Sequence, residues 1–310
     1  MLKHEYIDYG YFGRCLKVYN ESMEALITVD KGPRVISLKC PGMENIMCED
    51  TNENSTMSGG RYAEVFGDKK WYIYGGHRIW FSPEHDPKSY YPDNDPVMVK
   101  QEGNRFIFTP PEQYETGLQF ELILDFDETA GRITATHTIK NTGDETQNIA
   151  VWAMTVVDHD SIAILPQCDK PTGLLPNRTY TIWPYSDMHD DRLMFGNRFI
   201  TIKQSDDCKA NFKLGFNDDK GYMAMWGKGQ LFTKRFEYIE GAQYPDNGCN
   251  CECFTNFFMM EIESLSPLYD LEPGETMTHT EHWEIRPCND SFDRKDEQSV
   301  AAFMERNVRQ

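Results

Sequence analysis

Apolar and polar residues alternate with a period near two along most of this 310-residue chain. The segments ALITVD (25–30), RVISLK (34–39), LQFELIL (118–124), ITATHTI (133–139), NIAVWAMTVV (148–157), RFITIKQ (198–204), FKLGF (212–216), YMAMW (222–226), LFTKRFEY (231–238), FFMMEIES (257–264) and TMTHTEHWEI (276–285) each read as a strand. Successive strand side chains point to opposite faces, so such alternation suits sheets with one face buried. The turns between them carry glycine: EGN (102–104), NTGDE (141–145), DDKG (218–221) and EPGE (272–275). One stretch repeats at helical spacing instead. In DEQSVAAFMERNV (296–308), Val300, Phe303, Met304 and Val308 share a stripe, predicting a C-terminal helix laid against a sheet. No strand–helix alternation, linker, internal repeat or shift in composition appears. The pattern predicts an all-β chain, a single large antiparallel β-sandwich domain over residues 1–310 with a short C-terminal helix.

Charge narrows the partners. With 50 acidic and 31 basic residues the net charge is -19, which repels nucleic acid and anionic membrane surfaces. The opening MLKHEYIDYGYFGR lacks an apolar signal core, and no stretch approaches the roughly 20 apolar residues of a spanning helix. The nine cysteines, an odd number, then read as reduced thiols of a cytoplasmic protein. A phosphate-cradling glycine loop, a GxSxG elbow, an HExxH and paired CxxC motifs are all missing, so nucleotide, serine-hydrolase and zinc-peptidase chemistries have no support. No cofactor is expected. A small-molecule ligand is, and assembly into a homo-oligomer stays open.

Candidate chemistry gathers in three places. In YIYGGHRIWFSPEHDP (72–87), the Gly75–Gly76 pair permits close backbone approach, His77 titrates near neutrality, and Arg78 offers a planar fork to hydroxyls. Trp80, Glu84 and His85 surround them as binding candidates. In FFMMEIES, Glu261 and Glu263 point to one strand face, and two close carboxylates raise one pKa toward the range of a general base or acid. In LFTKRFEY, Lys234 shares its face with Phe232 and Phe236, making it the inward cation rather than Arg235. Two other clusters read as structural. Cys249, Cys251 and Cys253 of CNCEC suit buried small hydrophobes, and HTEHWE (279–284) lacks a recognisable ligand spacing, so no metal site is assigned.

Taken together, GGHRIWFSPE, YYPDNDPV (90–97), LLPNRTYTIWPYSD (174–187), QLFTKRF (230–236), YPDNGCNCECFTN (244–256) and EIESLSPLYDLEPGETMTHTEHWEI (261–285) resemble the DUF4380 family, related to galactose mutarotase-like proteins. The resemblance runs from VDKGPRVISL (29–38) to Ile285. It implies a β-supersandwich with a carbohydrate cleft on its concave face. It also implies a base near Glu261, since aldose 1-epimerases carry a glutamate on a late strand before a final PGE turn, with Glu263 as the rival. Mutarotases place an acid histidine in the strand after a KNTG-like turn. Here that strand is NIAVWAMTVV, with Trp152 near the expected place, so His77 is taken as the acid instead. Arg78, Lys234 and Asn256 would position a sugar or sugar acid, with Trp80 or Trp152 stacked on its face.

The expectation is a sugar-binding protein with aldose 1-epimerase-like isomerase activity. A non-catalytic sugar-binding or regulatory module is the alternative. A glycan lyase or hydrolase is a third, since paired carboxylates also cleave glycosides.

Overall fold

The computed structural model describes residues 1–308. Two large antiparallel sheets face one another. The first has eleven strands and runs from Lys3–Asp8 through Arg14–Tyr19, Glu24–Thr28, Val35–Lys39, Gly76–Ser82, Gln147–Val157, Met260–Leu265, Cys251–Thr255 and Phe212–Phe216 to Tyr180–Ile182. Tyr269–Leu271 pairs with the start of Gln147–Val157. The second has ten and runs from Leu193–Phe195 through Phe199–Lys203, Ile162–Pro166, Tyr222–Gly227, Gln230–Phe236, Thr276–Pro287, Arg132–Asn141, Leu118–Phe126 and Arg105–Thr109 to Met98–Glu102. Their inner faces interdigitate in one core, with Leu16, Ile27, Val35, Leu214 and Ile262 from one side and Phe108, Leu122, Ile133, Phe232 and Trp283 from the other. All eleven expected strands are present, within a few residues at their ends.

The expected helix is Glu297–Asn307, capped by Asp296, whose side chain accepts from the Gln298 amide. Val300, Phe303 and Met304 bury its stripe against Ile162, Ile164, Phe199 and Leu231 of the second sheet. Among the described residues no helix is long and apolar enough to cross a membrane.

The Gly75–Gly76 pair explains how the Gly76–Ser82 strand reaches the middle of the first sheet. Both residues have positive φ, +96° and +66°. A Cβ on Gly75 would run into the Cys48 carbonyl oxygen, and one on Gly76 would lie 2.5 Å from that of Val35. Only glycine lets the chain pass so close to two backbones and then turn into the sheet.

Candidate functional site

Strand parity and register assemble the site on the outer face of the first sheet. Along one row of paired residues lie Arg78, Met154, Glu263, Glu252 and Gly215. The next row holds Gly76, Val156, Glu261, Phe254 and Lys213. A third carries Trp80, Trp152 and Leu265. Five strands thus bring two cations, three carboxylates and two tryptophans to one patch.

The charges there are arranged as two aromatic-flanked pairs. The Arg78 guanidinium lies 4.3 Å over the Trp80 ring and 5.3 Å from that of Trp71, and its Nη2 is 3.6 Å from Glu261 Oε1. The Lys213 ammonium sits between Trp152 and Trp183, 4.6 and 4.7 Å from their rings, and meets Glu252 at 2.6 Å and Glu263 at 3.0 Å. Trp152 donates its indole N–H to Glu263 Oε2 at 2.7 Å. Such cation–π and charge-assisted contacts gain strength away from water. Glu252 and Glu263 are fully buried and Glu261 keeps 8% of its surface, while Trp80 and Phe254 beside them are half-buried.

The rim is aromatic. Tyr90 stands edge-on to Trp71 and Trp80 and donates to Glu84 at 2.5 Å. Tyr185 meets Phe254 edge-on, and the next residue, Ser186, is clamped to the Lys213 backbone, accepting from its N–H at 2.8 Å and donating to its carbonyl at 2.7 Å.

Burial, reinforced by Glu263 and opposed by Arg78 and Lys213, pushes the Glu261 carboxyl up to about 7. Burial raises Glu252 well above the usual carboxylate range against the pull of Lys213. For Lys213 burial acts downward, but Glu252 and Glu263 more than reverse it and keep the ammonium charged. Arg78 is drawn down to about 10 by burial and by Arg34, and remains a cation at neutral pH. The arrangement therefore offers a near-neutral carboxyl beside a fixed cation, suited to moving one proton.

Of the residues singled out in the sequence, Arg78, Trp80, Trp152, Glu261 and Glu263 come together here. Glu84 stands exposed at the rim, and His85 lies exposed in the same turn, where its amide donates to Ser89 Oγ. Asn256 pins a tight turn instead, accepting from the Phe258 and Met259 amides. His77 and Lys234 belong elsewhere. Gly76–Ser82 is a strand, so His77 must face opposite to its neighbour Arg78, and it points between the sheets. Lys234 enters the same interior from the second sheet.

There the two form part of a buried polar network. The His279 carbonyl can only accept, so His137 donates from Nδ1 at 2.9 Å and its neutral Nε2 accepts from His77 Nε2 at 2.7 Å. His77 Nδ1 then accepts from Thr155 at 2.9 Å, and Thr155 accepts from Lys234 at 3.3 Å. Glu281 takes bonds from Lys234 at 2.8 Å, Ser264 at 2.5 Å and Trp283 at 2.8 Å, while Ser264 accepts from His279 at 2.7 Å. His77, His137 and Glu281 bring ligand-type atoms within 4.8 Å of one another. Those atoms already have partners, and an ammonium group shares the carboxylate, so the donor set fits a hydrogen-bonded cluster rather than a coordination shell.

Lys213, Glu252 and Trp183 were not singled out in the sequence. The signal was present for two of them: a lone charge flanked by core residues, as in Phe212–Lys213–Leu214 and Cys251–Glu252–Cys253, must point out of the core and still be buried.

No family model and no curated protein match the sequence, so the DUF4380 resemblance rests on its motifs. Solved structures do match. A TPR-domain-containing protein from Parabacteroides distasonis superposes with TM-score 0.59 at 16% identity, over 90% of this chain and 48% of that one, so the chain spans about half its length. A candidate aldose 1-epimerase from Klebsiella pneumoniae matches with TM-score 0.56 at 11% identity, over 98% of this chain and 86% of the other. A galactose mutarotase related enzyme from Lactobacillus acidophilus matches with TM-score 0.50 at 13% identity, over 89% and 99%. At such identities the likeness establishes architecture, and the fold of this chain is galactose mutarotase-like.

Proposed function

We propose that the protein binds a monosaccharide on the outer face of its first sheet and interconverts its anomers, as an aldose 1-epimerase-like isomerase. The observation that carries this reading is the Arg78–Glu261 pair. It joins a carboxyl pushed up to about 7 to a fixed cation in a tryptophan-walled patch. Glu261 takes the anomeric hydroxyl proton, Arg78 orients the neighbouring hydroxyls, and the half-buried Trp80 offers an apolar surface to the sugar. The acid that protonates the ring oxygen comes from this face, where the Lys213 ammonium carries protons, and not from His77. Membership of the DUF4380 family, suggested by the sequence motifs, belongs to the same reading.

Polarimetry tests it. Adding the protein to freshly dissolved α-anomers of a hexose panel should speed mutarotation, and Glu261→Gln should remove about 10²–10⁴-fold of that acceleration. Unchanged rates with every sugar would defeat the isomerase.

One observation favours a second reading, a sugar-binding module without turnover. Trp152, near the place of the mutarotase acid, commits its N–H to Glu263 and can donate no proton to a ring oxygen. Ligand-induced thermal stabilisation without accelerated mutarotation would select it.

A further inference from the structure

The patch holds three carboxylates, Glu252, Glu261 and Glu263, against two cations, Arg78 and Lys213. We infer that the missing positive charge belongs to the ligand, and that this site takes an amino sugar, a hexose bearing an ammonium group, in preference to a neutral hexose or a uronic acid. The inference rests on the sugar-binding reading above and names its substrate class.

The pairing geometry shows where the charge is wanted. Lys213 pairs by charge with both Glu252 and Glu263, so those two carboxylates share one cation, which donates a hydrogen bond to Glu263 and leaves both Glu252 oxygens without one. Arg78 reaches Glu261 only at 3.6 Å, beyond a good hydrogen bond. Among the described residues, Glu261 Oε1 and Glu263 Oε1 are buried oxygens with no hydrogen-bond partner. They lie two residues apart on one strand face, roughly 6–7 Å from Cα to Cα. A buried carboxylate oxygen left bare is costly unless a donor arrives. An ammonium on the sugar supplies three donors and one charge together. The half-buried Trp80 suits a cation as well as a pyranose. The whole-chain charge of -19 adds a field that draws cations in and turns uronates away.

Glu261 reports on its own occupancy. The groups facing it are Arg78 from the Gly76–Ser82 strand, Glu263 on its own strand, Lys213 and Glu252 from the two strands beyond, and Glu84, Tyr90 and Tyr185 from the rim. With a carboxyl near 7, about half of the free protein carries this proton at pH 7. An arriving ammonium favours the carboxylate and expels it.

Titration calorimetry on the full chain at pH 7 and low salt provides the test. The probes are glucosamine, galactosamine and mannosamine, each beside its parent hexose, its N-acetyl derivative and, for glucose and galactose, the uronic acid. One amine should bind at least about tenfold more tightly than its parent and its N-acetyl form, with the uronates weakest. Repeating that titration in buffers of different ionisation enthalpy should show roughly half a proton more released per bound amine than in Glu261→Gln, a difference that cancels any proton the amine itself takes up on binding. Equal affinity for amine, hexose and N-acetyl sugar, or a preference for uronates, overturns the inference and leaves sugar binding standing. Silence with every sugar overturns both.

Discussion

Lys213 stands in a strand whose neighbours Phe212 and Leu214 are core residues, and its ammonium is held by Glu252, Glu263 and two tryptophan faces. Its removal would leave two sealed carboxylates without a counter-charge. Lys213→Met should therefore cost about 3–5 kcal/mol in urea unfolding, as breaking a buried pair from one side does. A loss below about 1 kcal/mol would equate it with a surface pair. The same residue shows what escaped the sequence: a lone lysine amid apolar residues looks like a solvated strand position until the register shows which strands flank it. His77 shows the converse. Adjacent in sequence to Arg78 and rich in chemistry, it invited assignment to the same site, but two consecutive residues of a strand cannot face one hollow.

At the scale of elements, period-two alternation revealed every strand it was applied to, and the face pairing of Glu261 with Glu263 and of Lys234 with Phe232 followed from it. Hidden from it were the neighbours across each strand, because pairing order depends on long-range contacts. Gly76–Ser82, which is buried along most of its length and opens on two glycines, did not read as a strand at all. That strand carries Arg78 and Trp80, so its seat bears on the proposed site. Gly76→Ala would force the chain away from Val35 at a φ of +66°. We expect a loss of about 1–3 kcal/mol in stability, together with weaker binding of the sugar proposed above, although the altered residue bears no functional group. Circular dichroism melts alongside calorimetry would reveal it. Stability and affinity both unchanged would mean that the strand does not need this glycine.

Across the whole molecule, two sets of buried groups respond to acid with opposite sign. Burial keeps His77 and His137 below their ordinary range and draws His279 down to about 3, so the unfolded chain binds these protons first as pH falls through about 6.5. That term alone makes stability rise with pH. Burial holds Glu252 well above 4.5 and brings Glu261 and Asp218 to about 7, so here the folded chain binds protons first and stability falls with pH. Three against three, the terms offset one another between about pH 4.5 and 6.5. Below that the unfolded carboxyls are protonated too, and the histidines act alone at up to roughly 4 kcal/mol per pH unit. Glu281, pulled far down by Lys234 and the histidines despite its burial, adds in the same direction. Urea midpoints should be level from pH 6.5 to 4.5 and drop sharply beneath. A steady decline already between 6.5 and 5.5 would show that the histidines are not held neutral.

The polar network between the sheets also works as a dowel. Lys234 donates to the Ala153 carbonyl and to Thr155, Ser264 donates to Glu281, and His77 bonds to His137, each joint spanning from one sheet to the other. Sliding either layer by even one residue would break all of these joints at once in a dry interior. The two layers are thus keyed in fixed alignment, and the outer-face patch rests on a scaffold that cannot part beneath it.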